Sequence, residues 1–172
     1  MARAYKALPP ASELWELFEY NPLTGDLFRR KTTSNAKGAK AGDKAGTPQS
    51  RGYIHTHVKN TAYLNHRLIW RWVTGKDPQE LEVDHKNRKR NQNGWHNLRL
   101  ATQPQNARNS KVRSHNRSGV KGAKLTDAGT YQARITSNGV RHYLGTFTTA
   151  EEARAAYEKA SLELHGEFSG VR

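Results

Sequence analysis

Val83-Asp84-His85, followed by Asn97-Leu98-Arg99 and then Asn106, joins an acid next to a histidine to two later amides. Leu81-Glu82-Val83 reads as a short strand that delivers an acid and a histidine at its end. Neighbours in a strand point to opposite faces unless the strand ends there and the turn re-aims one of them. Lys86 to Gly94 holds only Lys, Arg, Asn, Gln and Gly, the composition of a solvated loop and not of core. Asn97-Leu98-Arg99-Leu100-Ala101 resumes apolar alternation as a second strand. Thr102-Gln103-Pro104-Gln105 then carries a capping-box pattern, with Thr as cap, Gln three residues on and Pro tolerated in the first turn. Asn106 falls just inside the helix start. The order is strand, long loop, strand, helix, in which Asp84, His85, Asn97 and Asn106 can converge.

The surroundings suit a polyanion. His85 to Lys124 is a 40-residue run with eleven Lys or Arg and no Asp or Glu, in a chain of formal charge +14 and pI near 10.2. Each cation placed on a phosphate releases condensed counterions, so nucleic acid is the expected partner and a membrane surface its main rival. At 172 residues and 34% apolar content, several modest packing units are expected over one large core. No apolar run approaches a bilayer span and Met1-Ala2-Arg3-Ala4-Tyr5 has no signal-peptide character, so a soluble, cytoplasmic protein is expected. With no cysteine, any metal must sit on His, carboxylate or amide oxygen. That favours Mg²⁺ or Mn²⁺ and leaves Zn²⁺ or Ni²⁺ on imidazole open.

Two oxygen donors, Asp84 and Asn106, suit one Mg²⁺ or Mn²⁺ with positions left for water and phosphate. His85 would take the proton from the attacking water, since an imidazole of near-neutral pKa suits a general base. Asn97 would fix the imidazole's orientation through its amide oxygen. His66, opening a helix, reads as a structural histidine more readily than as a ligand.

Upstream, Ser12 is expected to cap a helix whose Leu14, Trp15, Leu17 and Phe18 form core, ended by Asn21-Pro22. Leu27-Phe28 enters a strand and Lys31 to Gln49 reads as a loop. Gly52 to Val58 and Ala62-Tyr63-Leu64 form a hairpin. Asn65 caps a helix carrying Leu68, Ile69, Trp72 and Val73 and stopped by Gly75.

These residues resemble the HNH endonucleases of the ββα-metal fold, in their phage and intron-encoded homing form, where the last letter of the motif is Asn. The resemblance rests on Tyr53, His66-Arg67-Leu68-Ile69-Trp70, Val83-Asp84-His85, Asn97-Leu98-Arg99, Ala101-Thr102 and Gln105-Asn106, and spans residues 13 to 110. It implies metal ligands at Asp84 and Asn106, a base at His85 and an orienting amide at Asn97. The loop departs from the family's Asp-Gly-Asn turn with Lys86-Asn87-Arg88-Lys89-Arg90, so Arg88, Lys89 and Arg90, with Arg99, are expected on phosphate. His96 completes only a superficial H-N-H count, and its place before the second strand suits solvent or phosphate.

Downstream of a basic linker, Val120 to Leu125, Tyr131 to Thr136 and Val140 to Phe147 read as three strands, the last two joined by an Asn138-Gly139 type I′ turn. That turn pairs Thr136 with Arg141 and Arg134 with Tyr143, placing them with Gln132 on one face and Tyr131, Ala133, Ile135 and Leu144 on the other. Thr148 to Glu151 reads as a capping box opening a helix with Ala153, Ala156, Tyr157, Ala160 and Leu164 in one stripe, ended by Gly166. Ser118-Gly-Val-Lys-Gly, Tyr131-Gln-Ala-Arg-Ile, Tyr143-Leu-Gly-Thr-Phe and His165-Gly166 resemble the plant ethylene-responsive-factor DNA-binding domain. The resemblance implies DNA contacts from Lys121, Arg134, Thr136, Arg141 and Tyr143, in the major groove that such a sheet reads.

The expected architecture is α+β: an N-terminal DNA-contacting region (1–64), a nuclease core (65–110), a linker (111–117) and a three-stranded sheet with one helix (118–172). The expected function is metal-dependent cleavage of duplex DNA by a monomer or a dimer assembled on DNA. A non-catalytic DNA-binding regulator is the alternative, and RNA binding ranks third because no stacking-aromatic RNA motif is evident.

Overall fold

The computed structural model describes residues 6–32, 38–110, 112 and 116–171. The chain packs as two units, Met1–Gln103 and Pro104–Arg172. Most of the expected linker lies outside the described residues.

The first unit has one apolar core, formed by Leu8, Leu14, Phe18, Tyr20, Leu27, Ala45, Val58, Leu68, Ile69, Val83 and Leu98. Residues from both sides of position 64 share it. Helix α1 (Ala11–Leu17) follows Pro10, and no side chain caps it, so Ser12 does not act as its cap. The helix gives way at Phe18 to strand β1 (Phe18–Asn21), which pairs antiparallel with β2 (Asp26–Arg29). Phe18 and Tyr20 are buried and Glu19 is exposed, the period of two of a strand. Trp15, expected in the core, is 48% exposed and donates its indole N–H to the Trp72 carbonyl.

The segment expected to be an open loop contributes two short strands, β3 (Lys44–Ala45) on β2 and β4 (Thr47–Pro48) on β5 (Ile54–Val58). Ala45 anchors it in the core at 2% exposure. Strand β5 turns through Lys59 and Asn60, both at positive φ, into β6 (Thr61–Leu64). Helix α2 (Asn65–Thr74) ends on Gly75 in the left-handed conformation, as expected. Its N-cap position is Leu64, and the Asn65 side chain instead accepts from Thr56 Oγ1 and donates to the Ala45 carbonyl. Strands β7 (Glu82–His85) and β8 (Leu98–Ala101) form a two-stranded antiparallel sheet, and a 3₁₀ turn over Trp95–Asn97 leads into β8. Helix α3 (Gln103–Arg108) opens directly after Thr102.

The second unit is a sheet of order β11-β10-β9, with β9 at Ala123–Leu125, β10 at Tyr131–Ser137 and β11 at Val140–Phe147. Asn138 and Gly139 have φ of 50° and 81°, and the register pairs Thr136 with Arg141 and Arg134 with Tyr143 as the two-residue turn requires. A bulge between Ala133 and Arg134 breaks the alternation once. Helix α4 (Ala150–His165) covers the apolar face. Its capping box is one residue later than expected: Thr149 accepts from the Glu152 backbone and Glu152 accepts from the Thr149 backbone. The buried stripe is Ala153, Tyr157, Ala160, Ser161 and His165, and Leu164 is 39% exposed. Gly122 admits Tyr157: a Cβ there would stand 2.2 Å from the ring.

Candidate active site

The β7–β8 ladder sets Asp84 opposite Arg99 and His85 opposite Leu98. All of Asp84, His85, Asn97 and Arg99 are buried. Arg99, expected on phosphate, places Nε at 3.0 Å and Nη2 at 2.9 Å from Asp84 Oδ2. A buried carboxylate needs a counter-charge, and the cross-strand guanidinium supplies it. Arg99 is thus a partner of the acid in this structure and not a surface cation.

His85 Nε2 lies 2.8 Å from Asn93 Oδ1. An amide oxygen can only accept, so this contact is a hydrogen bond in the tautomer with the proton on Nε2, which leaves the lone pair on Nδ1. Burial pushes the His85 pKa below its usual value; the Asn93 bond and Asp84 pull upward and Arg90 adds to the lowering. The net shift favours the neutral imidazole, the form a proton acceptor requires. His66 stands edge-on at 4.9 Å between ring centroids, buried, with its own pKa driven well down by burial and then by His85, Arg67 and His55. Tyr53 lies 5.2 Å from His66 and 6.2 Å from His85, and the Arg90 guanidinium covers the Tyr53 ring at 4.8 Å.

Asn97 holds the loop that follows His85. Its Oδ1 accepts from the Asn87 backbone at 2.9 Å, and its Nδ2 donates to Asn87 Oδ1 and to the Gln92 carbonyl. It ties both ends of the basic loop to β8. Asn93 is the amide whose oxygen meets His85 Nε2. Sequence reasoning missed it because the loop reads as uniformly solvated, yet Asn93 is 1% exposed. Its only sequence signal is the Gly94-Trp95 pair that follows.

Lys89 and Arg90 are exposed, and Arg88 is half-buried at a positive φ of 61°. His96 is exposed in the 3₁₀ turn. Asn106 is half-buried on α3, in the second unit. In that unit Arg134, Thr136, Arg141 and Tyr143 share the exposed sheet face, with Tyr143 Oη 2.8 Å from Thr146 Oγ1. Lys121 differs from expectation: its ammonium donates to the Arg108 and Ser110 carbonyls, closing the C-terminal end of α3.

Among the described residues no three His, Asp or Glu side chains cluster as a metal cage. The Asp84 carboxylate is a hard oxygen donor, the type a Mg²⁺-type ion takes beside water and phosphate ligands.

Residues 63–108, from β6 through α3, match the family model described as HNH endonuclease. An uncharacterized HNH endonuclease of Acanthamoeba polyphaga mimivirus is 37% identical over 105 residues, covering 60% of this chain and 54% of its own length. The chain therefore spans about half of that relative. Protein 3.8 of Escherichia phage T7 is 28% identical over 108 residues, 62% of this chain and 88% of that protein. An ethylene-responsive transcription factor of Medicago truncatula is 39% identical over 64 residues, 36% of this chain and 27% of the factor. No solved structure matches the chain. The segment around the site thus carries an HNH endonuclease signature, and these similarities support a nuclease role. No helix among the described residues is long and apolar enough to cross a membrane.

Proposed function

We propose that the protein is a metal-dependent endonuclease of duplex DNA of the ββα-metal type, with its acid and base on β7. The observation that carries the reading is His85: a buried, neutral imidazole on β7, held by an amide oxygen and adjacent to Asp84, inside the segment with the HNH signature. His85 takes the proton of the attacking water at Nδ1. Asp84 is the acidic ligand, with Arg99 fixing one of its oxygens, and Asn106 is the second oxygen ligand. The bound Mg²⁺ or Mn²⁺ would polarise the phosphate and stabilise charge on the leaving 3′ oxygen. Asn97 shapes the basic loop, whose Arg88, Lys89 and Arg90 grip the backbone. Arg134, Thr136, Arg141 and Tyr143 supply duplex contacts from the second unit. The similarities to a viral HNH endonuclease and a phage protein support a phage or mobile-element setting, with homing as the proposed role.

Supercoiled plasmid incubated with Mg²⁺, Mn²⁺ or EDTA tests the reading. Wild-type protein is expected to give nicked or linear product with either metal and none with EDTA, and His85→Ala is expected to bind DNA without cutting it. Cleavage by His85→Ala at the wild-type rate rejects the assignment. A shifted DNA band with no product under any divalent ion favours a regulator that uses the second unit's exposed face.

A further inference from the structure

The Asn93–Trp95 segment is held by the β1–β2 hairpin, a part of the chain to which the cleavage chemistry gives no role. Tyr20, on β1, donates its buried hydroxyl to the Asn93 carbonyl at 2.8 Å. The Trp95 N–H donates to the Pro22 carbonyl at 2.9 Å in the hairpin turn. Gly25, at φ +81°, lies so close that a Cβ would stand 2.3 Å from both Asn93 C and Gly94 N. The Asn93 side-chain amide is tethered through its oxygen to His85 Nε2, and its Nδ2 is buried without a partner. One bond cannot orient an amide whose other end is unsatisfied. The position of the Asn93 backbone must do so, and the hairpin fixes that position.

We infer that the β1–β2 hairpin is a positioning element for the base: Tyr20 and Gly25 seat the Asn93 backbone, and Asn93 Oδ1 in turn holds His85 in its Nε2-protonated tautomer with Nδ1 as the proton acceptor. Tyr20, Gly25 and Asn93 are positioning residues that act through His85. The inference rests on the nuclease reading for its consequence but not for its geometry.

The test joins two readouts on the full chain. Histidine-selective ¹⁵N NMR of the DNA-free protein reports the His85 tautomer, and single-turnover cleavage of plasmid separates the maximal rate from the DNA concentration at half-maximal rate. Wild type is expected to show Nε2–H at His85. Asn93→Ala is expected to lose that preference and about 100-fold in maximal rate with unchanged half-maximal DNA concentration, the scale of lost supporting contacts. Asn93→Asp keeps an oxygen acceptor and is expected to recover the tautomer and most of the rate. Tyr20→Phe removes one hydroxyl and is expected to cost about 10-fold in rate by the same route. Because Gly25→Ala can unfold the hairpin, Tyr20→Phe is the deciding variant. A folded Tyr20→Phe protein with wild-type tautomer and rate overturns the hairpin's part, and an Asn93→Ala protein with both intact overturns the whole inference. If wild type cuts nothing with Mg²⁺ or Mn²⁺, the nuclease reading fails alone, and the NMR arm still decides whether the hairpin sets the ring.

Discussion

The two units treat their polar residues in opposite ways. In the first, Asp84, His85, Asn93, Asn97 and Arg99 are all buried; Arg99 reaches Asp84 across the ladder, Asn93 meets His85 from the loop, and Asn97 bonds the loop at Asn87 and Gln92. In the second, Arg134, Thr136, Arg141 and Tyr143 stand exposed on a sheet whose other face rests on a thin core of Ile135, Tyr157 and Ala160. Proton transfer needs groups fixed in advance in a low dielectric, where each hydrogen bond counts for more. Reading a duplex needs side chains that reach outward from a rigid support. Under the proposed function the contrast is a division of labour, and substitutions in each unit should fail in different ways.

The sharpest break is at His85. His85→Ala is expected to lower the cleavage rate by about a thousandfold, within the range a general base contributes, while a gel-shift assay shows DNA affinity close to wild type. A parallel loss of affinity would mean that the first unit binds DNA through the same residues that cut it, and the division would fall.

The Asp84–Arg99 pair comes next. Arg99→Met leaves a buried carboxylate without its counter-charge and is expected to cost about 3–5 kcal/mol in denaturant unfolding. The double variant Asp84→Asn, Arg99→Met is expected to regain much of that stability without regaining cleavage, because burying two uncharged groups is less costly than burying one charge. Arg134→Ala on the exposed face is expected to shift stability by no more than about 0.5 kcal/mol.

On that face the expected effect is on binding. Arg134→Ala and Arg141→Ala should each weaken DNA association and, where the contact is to phosphate, reduce the slope of log affinity against log salt by about one. Titrations at several salt concentrations measure it. An unchanged slope in both variants would leave the second unit's sheet with no electrostatic part in binding.

The same contrast explains what the sequence disclosed. The exposed face was legible because a two-residue Asn138-Gly139 turn dictates register, and register dictates which side chains share a face. The strand-loop-strand-helix order around Asp84 and His85 was legible from apolar alternation and the break at Lys86. The partners of those two residues were not. Asn93 sits among Asn87, Asn91 and Gln92 in a loop of uniform polarity, and only tertiary packing by Tyr20 and Gly25 buries it. Arg99 looks like any cation in a basic run until the ladder sets it across from Asp84. Local ambiguity caused the remaining misses: Leu14, Leu17 and Phe18 fit a helical period, and the pairing of Phe18 with Arg29 decides for the strand.

The smallest expected effect is on stability against pH, and it is confined to one unit. His66 is buried with Nδ1 unpartnered, faced by the Tyr53 and His85 rings with His55 and Arg67 nearby, so its folded pKa lies well below 6.5. A histidine with a depressed folded pKa contributes stability above the unfolded value and loses it as pH falls, because the unfolded chain takes up the proton that the folded one refuses. His85 has the same sign of shift. His165 in the second unit is also lowered, but Ser161 and the Thr136 carbonyl engage its two ring nitrogens, and the carbonyl bond offsets part of the shift. All four tryptophans, Trp15, Trp70, Trp72 and Trp95, belong to the first unit, so their fluorescence reports its unfolding alone. Urea titrations followed by tryptophan emission are expected to give a lower midpoint at pH 5.5 than at pH 7.5, and His66→Phe, which cannot take up the proton, is expected to narrow the gap. An equal midpoint at both pH values would place His66 in a site that accommodates its charge, and the first unit would lose the dry, pre-organised character that sets it against the second.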